Sequence, residues 1–547
     1  MALAKATLQS LDPQIQSYIR ELERRQNRAS RTEERWEQQY HKLKVRYDAL
    51  EERHRLLLHK RFCRSSEQEP VGQQHLFDEA EQTATETGEV DSAEPAETVT
   101  IKEHERKTRG RKPIDPKHPR IEYRHDIPAE DKQCACGSGL VQIGEETREV
   151  VNVIPEQIWV ERHIYPKYAC HTCEGSGDED KPAVRIAPRE PDILPRSIAT
   201  PSLIAFILTN KFVDHLPFYR QEKRFERIGM AISRQDMSNW TIKAAQKVQP
   251  LIDRFSDLIR SGPLIQSDET PVQVLNEQNR KNTSKSYTWV LRGGPPDAPV
   301  VLYHYEQTRG SEYLRRFLQG YSGYVQHDGY SVYKTLAKEL SFTSVACWAH
   351  ARRKFHDAAK ATKAGSAHQA IAYIGKLYAT EKALRAQLNA GTITPDTFCR
   401  ERRKQVEPVL DEFLPWLHKK VDEVVPSSLL GTAVQYTLNE WSSLVRYLDR
   451  VEITPDNNAA ERAIKTFVIG RKNWMMSGSP RGAAASCAMY SLVETAKQNG
   501  LEPFSYLHYV FQQAAHITAP AGWDALLPQN LTAEKLTAAL PTPLRQS

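Results

Sequence analysis

From Ile15 onward an apolar or small residue returns at every seventh position: Ile15, Leu22, Ala29, Trp36, Leu43, Leu50 and Leu57, with Tyr40 and Tyr47 at the intervening four-residue offset. Seven residues make almost two helical turns, so this repeat draws a single stripe along one helix face. The Glu, Arg, Lys and Gln between leave no second face to bury. Residues 1–63 are therefore expected to form a self-associating, leucine-zipper-like coiled coil; the alternative is one amphipathic helix lying on the rest of the chain. Neither supplies a globular core. With 547 residues in all, the remainder must form several folded units joined by linkers.

Residues 64–105 are acidic, rich in Ser, Thr, Ala and Pro, and too poor in apolar groups to offset the entropy of ordering them. The charge then reverses in residues 106–120, RKTRGRKPIDPKHPR, so 64–120 reads as a disordered linker ending in a basic segment. Its Arg-Gly-Arg core suits a narrow A·T minor groove, and a solvated linker touching phosphates is the alternative. Either way Arg109, Arg111 and Lys112 are expected to contact DNA. A net charge of +6 points the same way only weakly. The N-terminus has no apolar signal segment, and no run of about 18 apolar residues occurs, so a soluble cytoplasmic protein with no membrane partner is expected.

Eight cysteines are too sparse for a secreted disulfide scaffold, but four form two close pairs, Cys134/Cys136 and Cys170/Cys173. Strand-like stretches, Val150–Ile154 and Trp159–Tyr165, lie between them. Two cysteine knuckles bracketing a hairpin can supply four thiolates to one structural Zn²⁺, so 121–190 is expected to be a zinc-ribbon-like module. The one-residue spacer of the first pair strains its knuckle and leaves room for His171 or another ligand. Residues 191–260 are helical. A helix over Leu216–Ile228, a break at Gly229 and a second helix opening at Ser233 suggest a helix-turn-helix, with Arg234, Gln235 and Asn239 facing DNA.

After Gly262-Pro263, Leu264–Asp268 reads as a short strand ending in a carboxylate. Strand candidates Ser286–Leu291 and Val300–Tyr305 follow, then a helix near Ser311–Leu318 and a fourth strand, Gly323–Asp328, again ending in Asp. That order, with Asp on the first and fourth strands, is the order of the ribonuclease-H-like fold. The two strands are neighbours in that sheet, so Asp268 and Asp328 are expected to meet. Converging carboxylates can hold two hard cations about 3.5–4 Å apart, which activate an attacking oxygen and stabilise a leaving one in phosphoryl transfer. The best placed third carboxylate is Glu461. Asp456 or the asparagines after it can cap its helix, and Ile464 and Val468 share its face. An acid on an apolar face needs a partner. A metal is one, and Lys465 at i+4 is another.

Five phrases in order then carry a resemblance: Ser267-Asp268-Glu269-Thr270; His327-Asp328-Gly329-Tyr330; Cys347-Trp348-Ala349-His350-Ala351-Arg352-Arg353-Lys354-Phe355; Asp456-Asn457-Asn458-Ala459-Ala460-Glu461-Arg462; and Gly470-Arg471-Lys472-Asn473-Trp474. The chain resembles the IS66-family transposases over nearly its whole length, including Trp523–Pro528 near its end. The resemblance implies a DDE recombinase with Asp268, Asp328 and Glu461 as the triad. Cys347 and His350 match a Cys-x-x-His pattern found between the second Asp and the Glu in several such enzymes. The close spacing of Cys134 and Cys136 departs from the commoner two-residue spacer and bears on the zinc geometry.

The sequence thus leads us to expect a multidomain α/β protein: coiled coil (1–63), linker (64–120), zinc module (121–190), helical DNA-binding region (191–260), catalytic core (261–350 and 451–515), helical insertion (351–450) and C-terminal tail (516–547). Asp328 and Glu461 are 133 positions apart, more than the core needs, hence the insertion. His350, Arg352, Arg353, Lys354, Arg471 and Lys472 flank the expected site and are candidates for gripping DNA phosphates. The expected function is transposition: binding the element's ends, cleaving a strand and directing the 3′-hydroxyl at target DNA. Two Mg²⁺ ions would serve, with Mn²⁺ able to substitute. Partners would be terminal repeats, target DNA, a second copy of the chain and accessory proteins of the same element, at the nucleoid. The rivals are a nuclease or resolvase without strand transfer, and a non-catalytic zinc and helix-turn-helix regulator.

Overall fold

The structure, a computed structural model, describes residues 12–62, 158–169, 184–360 and 364–541. The cysteine pairs, Val150–Ile154 and the basic residues Arg109, Arg111 and Lys112 lie outside these. Helix α1 covers Pro13–Phe62, roughly 75 Å at 1.5 Å per residue. Its stripe residues Ile15, Leu22, Trp36, Tyr40, Leu43, Tyr47 and Leu50 are all exposed. Among the described residues no helix is long and apolar enough to cross a membrane.

The described residues 158–169 and 184–189 belong to a unit separate from the main body. Its described ladder pairs β1 (Lys167–Ala169) antiparallel with β2 (Val184–Ile186). Trp159–Tyr165, expected as a strand, is not one. Most of that stretch is exposed, so its apolar residues do not alternate across a buried face. In sequence the second cysteine pair falls between β1 and β2, rather than after a completed hairpin.

The main body starts with four helices: α2 (Pro201–Phe212), α3 (Phe218–Arg227), α4 (Arg234–Lys247) and α5 (Gln249–Ser261). Between α3 and α4 Gly229 takes φ +81°. Ser233 then opens α4, its hydroxyl accepting from the Asp236 N–H at 3.1 Å. Phe225, Ile232 and Met237 pack with Ile207 of α2 in a small core of their own.

A mixed sheet follows, with order β5-β4-β3-β6-β7. Strands β3 (Leu264–Val274), β4 (Lys285–Gly293) and β5 (Val300–Glu306) are antiparallel neighbours. Helix α6 (Glu312–Leu318) leads to β6 (Tyr324–His327), which runs parallel to β3. Helix α7 (Ser331–Glu339) leads to β7 (Thr343–Ala346), parallel to β6. Strand β3 is longer than the sequence suggests. Asp and Glu are poor strand formers, so Asp268-Glu269 reads as an end. The inward alternation of Thr270, Val272 and Val274 carries the strand on, and Asp268 sits in its middle, opposite Val290.

Beyond β7 come α8 (Trp348–Ala359), α9 (Ser366–Asn389), α10 (Pro395–Glu423) and α11 (Leu429–Leu444), around a core that includes Trp348, Phe355, Ile374, Phe413 and Val434. The chain returns to the sheet with α12 (Asn458–Trp474), β8 (Met476–Ser477, parallel to the far end of β3) and α13 (Pro480–Gln498). Along the outer edge of β5, Ser491 accepts from the Tyr303 N–H, and Thr495 both accepts from and donates to the Val301 backbone. Two hydroxyls of one helix thereby satisfy an edge strand. Helices α14 (Pro503–Ala514) and α15 (Ala533–Ala538) complete the body. The stretch expected as a tail is packed, with Trp523, Leu526, Leu527, Leu531 and Leu536 buried in the main core.

Candidate active site

The register of β3 and β6 brings two aspartates level. Gln266 lies opposite Gln326, and their side chains share a 2.8 Å hydrogen bond. Two residues further along each strand come Asp268 and, one position past the end of β6, Asp328. The Asp268 carboxylate accepts from the Glu269 N–H at 2.8 Å. The Asp328 carboxylate accepts from the Tyr330 N–H at 2.9 Å, and its carbonyl accepts from the Tyr436 hydroxyl of α11 at 2.9 Å. Gly329 between them takes φ +92°, which an L side chain adopts only under strain.

Glu461 reaches the same place from the first turns of α12, and Asn457 anchors that helix start. Its backbone N–H donates to Cys347 Sγ at 3.3 Å, and its side-chain amide donates to the Ser267 carbonyl, next to Asp268, at 2.9 Å. The Asp456 carboxylate accepts from the Asn458 N–H at 3.1 Å, as expected of a residue at a helix start. Glu461 is buried, with one oxygen 3.6 Å from His350 Nδ1 and the other 3.7 Å from Arg353.

Electrostatically the acids act as a group. Burial, then the charges of Glu269, Glu461 and Asp328, push Asp268 well above the ordinary carboxylate range. Burial, with Asp328 adding to it and Arg353 opposing, raises Glu461. Glu269 is pushed up to about 7 by burial and Asp328, against the pull of Arg309. Arg309 donates to Glu269 at 2.6 Å and stacks on the Tyr330 ring. One oxygen each of Glu269 and Glu461 is buried without a hydrogen-bond partner. Buried carboxylates raised by a neighbouring acid, two of them with an unpaired buried oxygen, suit a hard divalent cation, which would reverse both penalties.

The wall behind is rigid. His327 is fully buried, stacked at 4.3 Å on Tyr333, and burial lowers it to about 3. Its Nδ1 accepts from the Gly329 N–H, so the neutral ring carries its proton on Nε2, toward Ser344. The Tyr333 hydroxyl in turn lies 2.7 Å from that of Ser267.

The sequence profile of the transposase IS66 family matches residues 196–485, which hold all three of these acids. The chain belongs to the IS66 family of transposases. It is therefore a DNA-processing enzyme of an insertion sequence. Three further profiles match: the zinc-finger binding domain of transposase IS66 over 131–174, the IS66 C-terminal element over 491–529, and transposase C of IS166 homeodomain over 49–122. The second of the matched stretches along the chain contains both cysteine pairs, which supports a structural zinc. Relatives include two uncharacterised proteins of Sinorhizobium fredii. One, y4jD, is 33% identical over 78% of this chain and 83% of its own length; the other, y4qI, is 30% identical over 74% of each.

Among the transposase's basic candidates, Arg352 is buried, which withdraws it from any DNA backbone: position 352 faces the interior of α8 beside Ala351 and Phe355. Arg353 is half exposed beside Glu461, and Lys354 lies 4.7 Å over the Tyr436 ring. Arg471 donates to the Thr270 hydroxyl, and Lys472 is exposed. Arg234, Gln235 and Asn239 are exposed at the start of α4. Glu269, Arg309 and Asn457 are the site residues that sequence reasoning passed over. The pairing of two adjacent acids in Asp268-Glu269 was a usable signal for Glu269; Arg309 had none.

Proposed function

We propose that this transposase cuts and joins DNA with Asp268, Asp328 and Glu461 as its catalytic triad, in a core of the ribonuclease-H-like type. The convergence of three carboxylates, from β3, the end of β6 and the start of α12, two of them raised by burial and by the charge of Asp328, carries this reading. Divalent cations held by these acids, Mg²⁺ with Mn²⁺ as a substitute, would activate the attacking oxygen and stabilise the leaving one. The chain's own groups do the rest. Asn457 holds the start of α12 against β3, so Glu461 keeps its place relative to Asp268. Arg309 neutralises Glu269, limiting the negative charge the site presents to a phosphodiester. Arg353, Lys354, Arg471 and Lys472 are suited to contact phosphates beside the scissile bond, and Arg234, Gln235 and Asn239 to contact the element's ends, with Arg109, Arg111 and Lys112. Cys134, Cys136, Cys170 and Cys173 would ligate the zinc. Helix α1 would pair with a second copy, so that two ends are held together; accessory proteins of the element and residence at the nucleoid belong to the same reading.

The test uses pre-cut and uncut element ends in Mg²⁺. Asp268→Ala, Asp328→Ala and Glu461→Ala should each lose cleavage and strand transfer by roughly a thousandfold or more, the scale for removing a group that stabilises transition-state charge, while binding to ends persists. Cleavage surviving in Asp268→Ala or in excess chelator would sink the proposal. Cleavage without joining of pre-cut ends would make the protein a nuclease.

A further inference from the structure

Beside the triad, Glu461 takes part in a second cluster of different chemistry. Cys347 stands at the N-cap of α8, and His350, three residues on, lies one turn into that helix. Cys347 Sγ, a ring nitrogen of His350 and a carboxylate oxygen of Glu461 all lie within 4.8 Å of one another. Cys347 is completely buried and Glu461 nearly so. His350 Nδ1 and Glu461 Oε1 face each other at 3.6 Å, yet neither has a hydrogen-bond partner. Two buried polar atoms at that separation are too far apart to bond directly and are costly to leave unpaired.

We propose that Cys347, His350 and Glu461 form a binding site for a thiophilic divalent cation of the Zn²⁺ class, separate from the hard-cation position between Asp268 and Asp328. A thiolate, an imidazole and a carboxylate make a borderline-soft donor set, which zinc prefers and magnesium does not. Three protein ligands leave a fourth tetrahedral position open to water or substrate, unlike the closed four-ligand pattern of structural zinc sites. Binding forms a sulfur–metal bond as the Cys347 thiol proton leaves to solvent. The Asn457 N–H already directed at Sγ is placed to stabilise the resulting thiolate. The site shares Glu461 with the proposed triad but requires neither Asp268 nor Asp328. An ion held here would draw Glu461 toward α8, so zinc would compete with magnesium for the acid that completes the triad.

The test is Co²⁺ titration of the full-length protein prepared with one Zn²⁺ per chain, enough for the cysteine module alone, read by absorbance. The wild type should bind one further Co²⁺ with a sulfur-to-cobalt charge-transfer band and the intense visible bands of tetrahedral cobalt. Cys347→Ser should lose the charge-transfer band. Cobalt exchanged into the zinc module's cysteines contributes equally to both proteins and subtracts out. His350→Ala, which leaves Sγ in place, should bind this ion at least about tenfold more weakly. Asp268→Ala should keep the band in full, which separates this site from the triad. A charge-transfer band of equal size in wild type and Cys347→Ser would overturn the proposal, as would unchanged affinity in His350→Ala.

Discussion

Asn457 donates its side-chain amide to the carbonyl of Ser267 at 2.9 Å, joining the start of one helix to the middle of a strand 190 positions earlier. Replacing it by Ala strands a buried carbonyl, which should lower stability by about 1–3 kcal/mol. Asn457→Asp also removes the donor and adds a negative charge close to the site. In urea unfolding both variants should be less stable than wild type, with Asp the worse, and both should lose more cleavage than end binding. Unaltered midpoints would show that the bond contributes nothing.

Gly329→Ala should be costly for two separable reasons. Its φ of +92° strains any L residue, by about 1–3 kcal/mol. The new Cβ would also fall 2.5 Å from the Tyr436 hydroxyl, which bonds the Asp328 carbonyl. Removing that hydroxyl with Tyr436→Phe relieves the closest contact but leaves two ring carbons at 3.1 Å and the strain. A double-mutant cycle should therefore show Gly329→Ala to be milder in the Tyr436→Phe background; strict additivity would count against the contact.

Arg402 is fully buried, facing Glu381 at 3.4 Å and donating to the carbonyls of Arg450 at 2.7 Å and Ile453 at 3.1 Å. Those carbonyls belong to the segment that delivers α12 to the sheet. Arg402→Ala leaves Glu381 to Arg385 alone and strands the two carbonyls, and should cost about 1–3 kcal/mol. Hydrogen exchange should locate the loosening at residues 450–456.

The exposed stripe of α1 predicts that a fragment covering residues 1–63 associates at tens of micromolar, roughly the range of such coils, and that Leu43→Asp with Leu50→Asp keeps it monomeric. Sedimentation decides. A wild-type fragment that stays a monomer leaves the apolar stripe without its proposed partner.

What could be read ahead of the structure followed from periodicity. The α1 heptads, the apolar strand candidates at β4 and β5, and Ser233 as the opening of α4 are local signals, and the corresponding elements lie close to where they were expected. Strand β3 was cut short because Asp268-Glu269 looks like a terminus when only local propensity is weighed; its continuation depends on β4, which is paired alongside. The order of elements implied that β3 and β6 are neighbours, but other long-range relationships were invisible. Nothing in the Arg309 neighbourhood announces Glu269, and the Asn457 anchor requires knowing that α12 meets β3. Arg352 misled because one position of a basic run faces inward while its neighbours do not, a distinction set by the helical phase of α8 against the second core. The C-terminal segment looked like a tail because its turns are short, although Trp523 and four leucines fill the main core.

The hydroxyls of Ser491 and Thr495 that close the edge of β5 have a bearing on synthesis. They leave the ribosome almost two hundred residues after the strand they cover. At about 5–20 residues per second, that strand's open side waits roughly 10–40 s for its cover. During that interval an unpaired strand edge is a template for other nascent chains. A gene copy truncated before residue 491 would therefore yield a product prone to aggregate, so loss of the segment from Ser491 onward should reduce soluble protein well before any question of chemistry arises.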